Sequence, residues 1–123
     1  MEGPERFGAK GVNGTLVVTP ERIMIRRKRA VLVLLGQGFS RSKEIAVDQI
    51  VGTQFKKATT FINGYIRFSL AGGTETKGGG FDAAQDENAI MFTDKQQPAF
   101  ARAKELIDLY GEAARDAAPE ADR

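Results

Sequence analysis

GVNGTLVVTPERIMIRRK, residues 11–28, decides the fold class because apolar and polar residues alternate on both sides of a turn. Leu16 and Val18 share one face of a predicted strand, and Ile23 continues that face after Pro20. Proline fixes φ at the bend and therefore favours a turn there. The stretch predicts a β-hairpin that buries one apolar face.

The same alternation recurs in the rest of the chain. Residues that would face the core mark further strands at Ile45 and Val47, at Val51, Thr53 and Phe55, at Ile66, Phe68 and Leu70, and at Ile90 and Phe92. Asp48 and Gln49 permit a bend between the first two of these segments. Asn63-Gly64 predicts a tight hairpin turn, because both residues tolerate φ > 0. With the opening hairpin, these segments give six or seven short strands.

Residues 98–111, PAFARAKELIDLYG, have a different period from the segments before them. Their apolar residues form one stripe of an α-helix, made of Phe100, Ala103, Leu106, Ile107 and Tyr110. Asp94 is placed to cap the start of this helix, and Gly111 to end it. The predicted fold class is mainly β with one C-terminal α-helix, as a small barrel or a two-sheet sandwich that the helix caps.

Length and composition favour one globular domain. The chain has 123 residues, of which 41% are hydrophobic and 28% charged. We expect a flexible N-terminal segment at residues 1–10, the domain at 11–111, and a disordered, acidic tail at 112–123. The start of the chain lacks the apolar core of a secretory signal, and the longest apolar run is far shorter than the roughly 20 residues of a spanning helix. These features predict a cytoplasmic protein.

The residue types that most enzymes use are missing. The chain has no His and no Cys, which removes the usual general base, thiol nucleophile and zinc ligands. The glycine-rich stretches GGTETKGGGF and GQGFSR lack the spacing of a P-loop or of a dinucleotide-binding loop. Asp82, Asp86 and Glu87 lack the spacing of a calcium loop, and turn formation by Asp86 and Asn88 is favoured instead. We therefore expect no enzyme, no cofactor and no metal.

Positive charge is concentrated in one part of the chain. Residues 21–57 carry nine cations and three acids, a balance of +6; since the net charge is +2, the rest carries −4. The candidate anion-binding cations are Arg26, Arg27, Lys28, Arg29, Arg41 and Lys43. Alternatively, these cations only discourage edge-to-edge aggregation of the uncharged stretch 30–35. Nucleic acid is disfavoured as a partner, because no aromatic residues are interleaved with the cations.

The apolar residues after the cations form a candidate interface. It consists of Leu34, Leu35 and Phe39. We expect them to pack against the domain or a neighbouring subunit, and insertion into a membrane is the alternative. Periodicity does not decide whether residues 30–39 are strand, helix or loop.

Several stretches taken together resemble a known family. NGTLVV, IMIRRK, QFKKA, NGYIRF and DENAIMF are similar to a bacterial PH-like family of unknown function, whose members are often joined to a short SHOCT oligomerisation module. The resemblance covers residues 11–108 and implies a PH-type barrel capped by a helix, with no catalytic residues. In such barrels, anionic head groups typically meet cations on an early strand and its loop, which is where residues 26–29 would lie.

The combined expectation is a non-enzymatic PH-like interaction module. Its most favoured role is protein–protein contact or homo-oligomer assembly. The alternative is peripheral binding of anionic lipid head groups through the basic segment at residues 26–29.

Overall fold

The computed structural model of the protein describes residues 6–27, 42–72 and 86–117. Its elements are β1 Phe7–Lys10, β2 Gly14–Val18, β3 Arg22–Arg27, β4 Ser42–Ala46, β5 Ile50–Lys56, β6 Gly64–Leu70, β7 Ala89–Phe92 and α1 Gln97–Asp116. Strands β1–β4 form one antiparallel sheet and β5–β7 a second, each in chain order. In the described ranges the two sheets do not close into a barrel. The predicted class, mainly β with a C-terminal helix, is confirmed, in the form of a sandwich.

The opening hairpin has the predicted turn and the predicted apolar face. Leu16 pairs with Ile25, and Val18 with Ile23, and all four side chains are buried. At the turn, the backbone N–H of Thr19 donates to the carbonyl oxygen of Arg22 at 2.9 Å. Burial of these four side chains in the core sets the register of the hairpin, and Val17 on the opposite face of β2 is also buried.

The core lies between the two sheets and under α1. The helix buries Phe100, Ala103 and Ile107, as its apolar stripe predicts, and Leu106 and Tyr110 are partly buried at its margin. The core side chains of the second sheet come from the predicted faces of β6 and β7, namely Ile66, Phe68, Ile90 and Phe92. In the described part of the chain, no helix combines the length and the apolarity that crossing a bilayer requires.

A bend and a β-bulge connect the two sheets. The bend is a 3-10 turn, Val47–Gln49, at the position that the sequence predicts. Directly after it, the register between β5 and β6 shifts between Ile50 and Gly52. The extra residue turns Ile50 into the core and leaves Val51 67% exposed. The prediction that Val51 shares the core face of β5 is therefore wrong.

The chain between β5 and β6, residues 57–63, is longer than the predicted two-residue turn. β5 ends at Lys56, and β6 begins at Gly64, which does not have a positive φ. A Cβ on Gly64 would meet the carbonyl oxygen of Lys56 and would lie 2.8 Å from Cε1 of Phe92. Glycine is needed at this position for close packing, and the predicted tight turn at Asn63-Gly64 is wrong.

The N-terminal boundary of the folded part differs from the prediction. Residues 7–10, which the sequence analysis places in a flexible segment, form β1 at the edge of the first sheet. Ala9 of this strand is buried in the core. The strand was not predicted because FGAK contains only one large apolar residue.

The two ends of α1 also differ from the prediction. Thr93 and Gln96 bond each other reciprocally before the helix: the Thr93 N–H donates to Gln96 Oε1 at 2.9 Å, and the Gln96 N–H to Thr93 Oγ1 at 3.2 Å. The side-chain oxygen that accepts a backbone hydrogen bond before the helix therefore belongs to Thr93 and not to Asp94. The helix does not end at Gly111, which is buried, and it continues to Asp116. Residues 112–116 are thus helical and not part of a disordered tail.

Candidate functional site

The described cations of the predicted anion-binding set point to different faces of the first sheet. Arg26 is exposed, on the face opposite to the core. Lys43 pairs with Ile25, which is buried, so Lys43 lies on the inner face of the sheet. The remaining predicted residues lie outside the described residues: Lys28, Arg29, Arg41, Leu34, Leu35 and Phe39.

Arg27 and Lys43 contact the chain just before β7. Asp86 accepts a hydrogen bond from Arg27 Nη2 through its backbone oxygen at 2.8 Å. Its carboxylate lies 3.4 Å from Nε of Arg67, and the two side chains are only 15% and 12% exposed. The carboxylate also accepts from the backbone N–H of Asn88 at 2.7 Å. These bonds hold Asp86 between β3 of one sheet and β6 of the other.

Lys43 completes this arrangement, which we call the clasp: Arg27, Lys43, Arg67 and residues 86–88. The Lys43 ammonium donates to Asn88 Oδ1 at 2.7 Å and to Glu87 Oε2 at 3.1 Å. The clasp therefore joins β3 and β4 of the first sheet to β6 and to the start of β7 in the second. The predicted turn-forming roles of Asp86 and Asn88 are confirmed. Within the described ranges, no cluster of three or more acidic, His or Cys side chains could hold a metal ion.

A second feature is the loop at residues 57–63, which we call the Phe61 loop. Phe61 is 94% exposed and Ile62 is 60% exposed at its tip. The Thr59 N–H donates to the Ile62 carbonyl oxygen at 2.7 Å, and Thr59 Oγ1 accepts from the N–H groups of Phe61 and Ile62. The tip is thus a hydrogen-bonded turn that presents two large apolar side chains to solvent.

The base of the Phe61 loop is fixed to α1 and carries positive charge. The N–H of Ala58 donates to Oε1 of Gln97, the first residue of the helix, at 2.6 Å. Lys56 and Lys57 are both exposed beside this bond. No acidic residue occurs in the sequence between Asp48 and Glu75. The loop is therefore an ordered projection with an apolar tip and a cationic base.

A third feature is a groove of about 430 Å³ beside the C-terminal half of α1, which we call the helix groove. Its lining residues are Pro20, Glu21, Ala46, Val47, Asp48, Tyr110, Ala113 and Ala114. Glu21 and Asp48 are exposed at its rim, and the lining contains no cation. Leu109, in the same turn of the helix, is 58% exposed. The groove is apolar inside and acidic at its edge.

A smaller cavity of about 310 Å³ lies on the other side of the 3-10 turn, between β5 and α1. Asp48, Asp108 and Arg115 are among its lining residues, so charges of both signs surround it. Its walls also include Gly52 and Gly111. It lacks the uniform charge that distinguishes the helix groove.

Neither the Phe61 loop nor the helix groove is predicted from the sequence. The signal for the loop is the pair Phe61-Ile62, two apolar residues that follow Thr59-Thr60 and interrupt the alternation between β5 and β6. The groove has no local signal, because residues from three separate parts of the chain line it.

The chain belongs to the DUF4429 family, a domain of unknown function, whose family model matches residues 19–107. The matched range includes the Phe61 loop and all residues of the clasp. It ends inside α1, before Tyr110, Ala113 and Ala114 of the helix groove. No curated protein and no solved structure matches the chain.

Proposed function

We propose that this chain is a non-enzymatic PH-like interaction module and that it binds a second copy of itself. The observation that carries the proposal is the helix groove, which has apolar walls and two exposed carboxylates, Glu21 and Asp48, at its rim. Such a surface fits a partner segment that is both apolar and basic. The chain itself contains one, RRKRAVLVLL at residues 26–35.

The position of the two surfaces favours contact between copies. β3 begins at Arg22, beside Glu21 of the groove, and ends at Arg27, where the basic segment starts. A strand of six residues spans about 17 Å, so the groove and the start of the segment lie at opposite ends of the first sheet. A contact between unlike surfaces of two copies is heterologous and generates rings or filaments.

The PH-like character of the module remains part of the proposal. It rests on the resemblance of the sequence, and the arrangement of two antiparallel sheets capped by a C-terminal helix supports it. The absence of His and Cys from the sequence supports a non-enzymatic role.

The alternative, binding of anionic lipid head groups through residues 26–29, also stays a prediction. The guanidinium of Arg27 already donates to the Asp86 carbonyl oxygen, and the ammonium of Lys43 to Asn88. These bonds reduce the number of cations that face outward with Arg26.

The test is light scattering on two variants with reversed charge. In the first, Glu21→Lys with Asp48→Lys makes the groove basic; in the second, Glu at positions 26, 28 and 29 makes the segment acidic, with a balance of −2 over residues 26–29. We expect the wild-type chain to grow beyond its 13.4 kDa monomer mass with concentration and each variant alone to stay smaller. An equimolar mixture of the two should assemble again, because each reversed surface then meets a complementary one.

The matched control for the groove variant is Asp94→Lys with Glu105→Lys. It makes the same change in net charge as that variant, at exposed residues outside the groove. We expect the control to assemble as the wild type does. A wild-type chain that is monomeric at all concentrations would refute self-association. Loss of assembly in the control, or no restoration in the mixture, would show that the groove and the segment are not the contacting surfaces.

A further inference from the structure

We infer that the Phe61 loop docks the protein onto an anionic phospholipid bilayer, with Phe61 and Ile62 inserted at the level of the head groups. This site is separate from the basic segment at residues 26–29. It is also independent of self-association, since the loop contains none of the lining residues of the helix groove.

The two apolar side chains at the tip of the loop do not pack into the hydrophobic core. Phe61 is 94% exposed, and Ile62 is 60% exposed, whereas Phe55 at the end of the preceding strand packs against the core. Single exposed apolar residues are common, but two adjacent large ones at the tip of one turn form a contiguous apolar patch, which is the kind of surface that marks a site of interaction. The insertion of an aromatic and a β-branched side chain removes both from water.

The loop is ordered before any partner binds. Thr59 fixes the tip through its N–H and its hydroxyl oxygen, and the bond from Ala58 to Gln97 fixes the base. Gly64 then lets the chain pass close to Phe92 of β7. Binding therefore does not have to order this segment, and the conformational cost of docking is small.

The size and shape of the tip favour a bilayer over a protein partner. A large aromatic side chain buries 150–250 Å², so Phe61 and Ile62 together offer roughly 300 Å². A stable protein interface needs about 800 Å² on each partner. A projecting tip of this size can enter a bilayer, which adapts to its shape and needs no complementary surface.

The charge of the loop selects an anionic bilayer. Lys56 and Lys57 are exposed at its base, and the sequence has no acidic residue from 49 to 74. Each cation near an anionic leaflet adds to the attraction, and this contribution falls with ionic strength. The contribution of apolar insertion to binding does not fall with ionic strength. Binding should therefore weaken in high salt but not disappear.

The first experiment is co-sedimentation with phosphatidylcholine vesicles that contain phosphatidylserine, compared with phosphatidylcholine alone. We expect the full chain to bind the anionic vesicles more strongly. Phe61→Ser with Ile62→Ser should weaken binding by about tenfold or more, because two apolar side chains are lost from the bilayer. Lys56→Glu with Lys57→Glu should remove the preference for phosphatidylserine.

Matched controls separate this site from the rest of the surface. Val51→Thr removes an exposed apolar side chain on β5 and should leave binding unchanged. Arg6→Glu with Lys10→Glu reverses two exposed cations at the edge of the first sheet, one just before β1 and one at its end, and should have a much smaller effect than the pair at the loop. Equal or greater loss in either control would overturn the assignment.

A second readout uses the absence of Trp from the chain. Phe61→Trp should show a blue-shifted emission on anionic vesicles and quenching by brominated lipid, whereas Leu109→Trp should show neither. A Phe61→Trp emission that is unchanged by vesicles would overturn the proposal. So would a blue shift that appears without lipid as the protein concentration rises, since the occupant would then be a second copy.

Discussion

Gly64 allows a sharp test of the packing around the base of the Phe61 loop. A Cβ at this position would meet the carbonyl oxygen of Lys56, and would lie 2.7 Å from the backbone nitrogen of Ala58 and 2.8 Å from Cε1 of Phe92. Two of these neighbours are backbone atoms, and the third belongs to a buried ring, so none can rotate away. Gly64→Ala should therefore cost about 3 kcal/mol, the upper end of the range for overpacking.

The assay is urea denaturation followed by circular dichroism, with thermal unfolding in parallel. For a domain of this size, a loss of about 3 kcal/mol lowers Tm by on the order of 10 °C. Two other glycines serve as controls. Gly8 has no atom within 4 Å of a Cβ, and Gly8→Ala should stay within about 0.5 kcal/mol of the wild type. Gly72 also has free space but a φ of 74°, so Gly72→Ala should cost about 1 kcal/mol.

Asparagine distinguishes steric packing from a turn conformation. Asn tolerates positive φ better than Ala does, so Gly72→Asn should be more stable than Gly72→Ala. At Gly64 the order should reverse, because Asn is larger than Ala and the obstacle is space. If Gly64→Asn were instead more stable than Gly64→Ala, the argument from packing would be refuted and the hairpin-turn interpretation of this glycine restored.

Two further predictions concern hydrogen bonds that fix the ends of α1 and β7. Asp86→Ala should destabilise the fold by about 2 kcal/mol, because Arg67 and the Asn88 N–H lose an acceptor; combined with Arg67→Met, it should cost less than the sum of the two, measured by urea denaturation. Additive costs would show that the clasp does not couple these residues. Thr93→Ala should cost about 1 kcal/mol, and Gln96→Ala should add little to it because their bonds are reciprocal. An undiminished effect of the second substitution would contradict this pairing.

The sequence predicted those elements in which one face is buried. Leu16 and Ile25 alternate with less buried residues, and the stripe through Phe100 and Ile107 repeats with the period of a helix. In both cases burial imposes a local period that a single sequence displays. The choice between barrel and sandwich has no such local signature, since it depends on whether the edges of two sheets meet.

Errors arose where a distant part of the chain decides the local structure. Val51 fits the alternation of β5, but the bulge after the 3-10 turn rotates it outward. Gly64 follows Asn63 as in a tight turn, yet Phe92 from another strand is what requires a glycine. These constraints come from tertiary packing, and the conformational preferences of individual residues do not reveal such contacts.

The position of Lys43 was not visible from the sequence for a related reason. Cations near an apolar stretch were assigned to the surface, but Lys43 lies opposite Ile25 on the inner face and reaches Asn88. Phe61 gives a weaker signal in the sequence, because a large aromatic residue is usually expected in a core. Its position at the tip of the Thr59 turn is what makes it 94% exposed.

The clasp also has a consequence for local opening of the fold. A 2.8 Å hydrogen bond joins Arg27, at the end of β3, to Asp86, just before β7, and Lys43 of β4 donates to Glu87 and Asn88. Side chains of the first sheet therefore tie it to the second sheet at a place outside the hydrophobic core. The two sheets separate there only if these bonds break together, so the strand ends that carry the clasp should open as one cooperative unit.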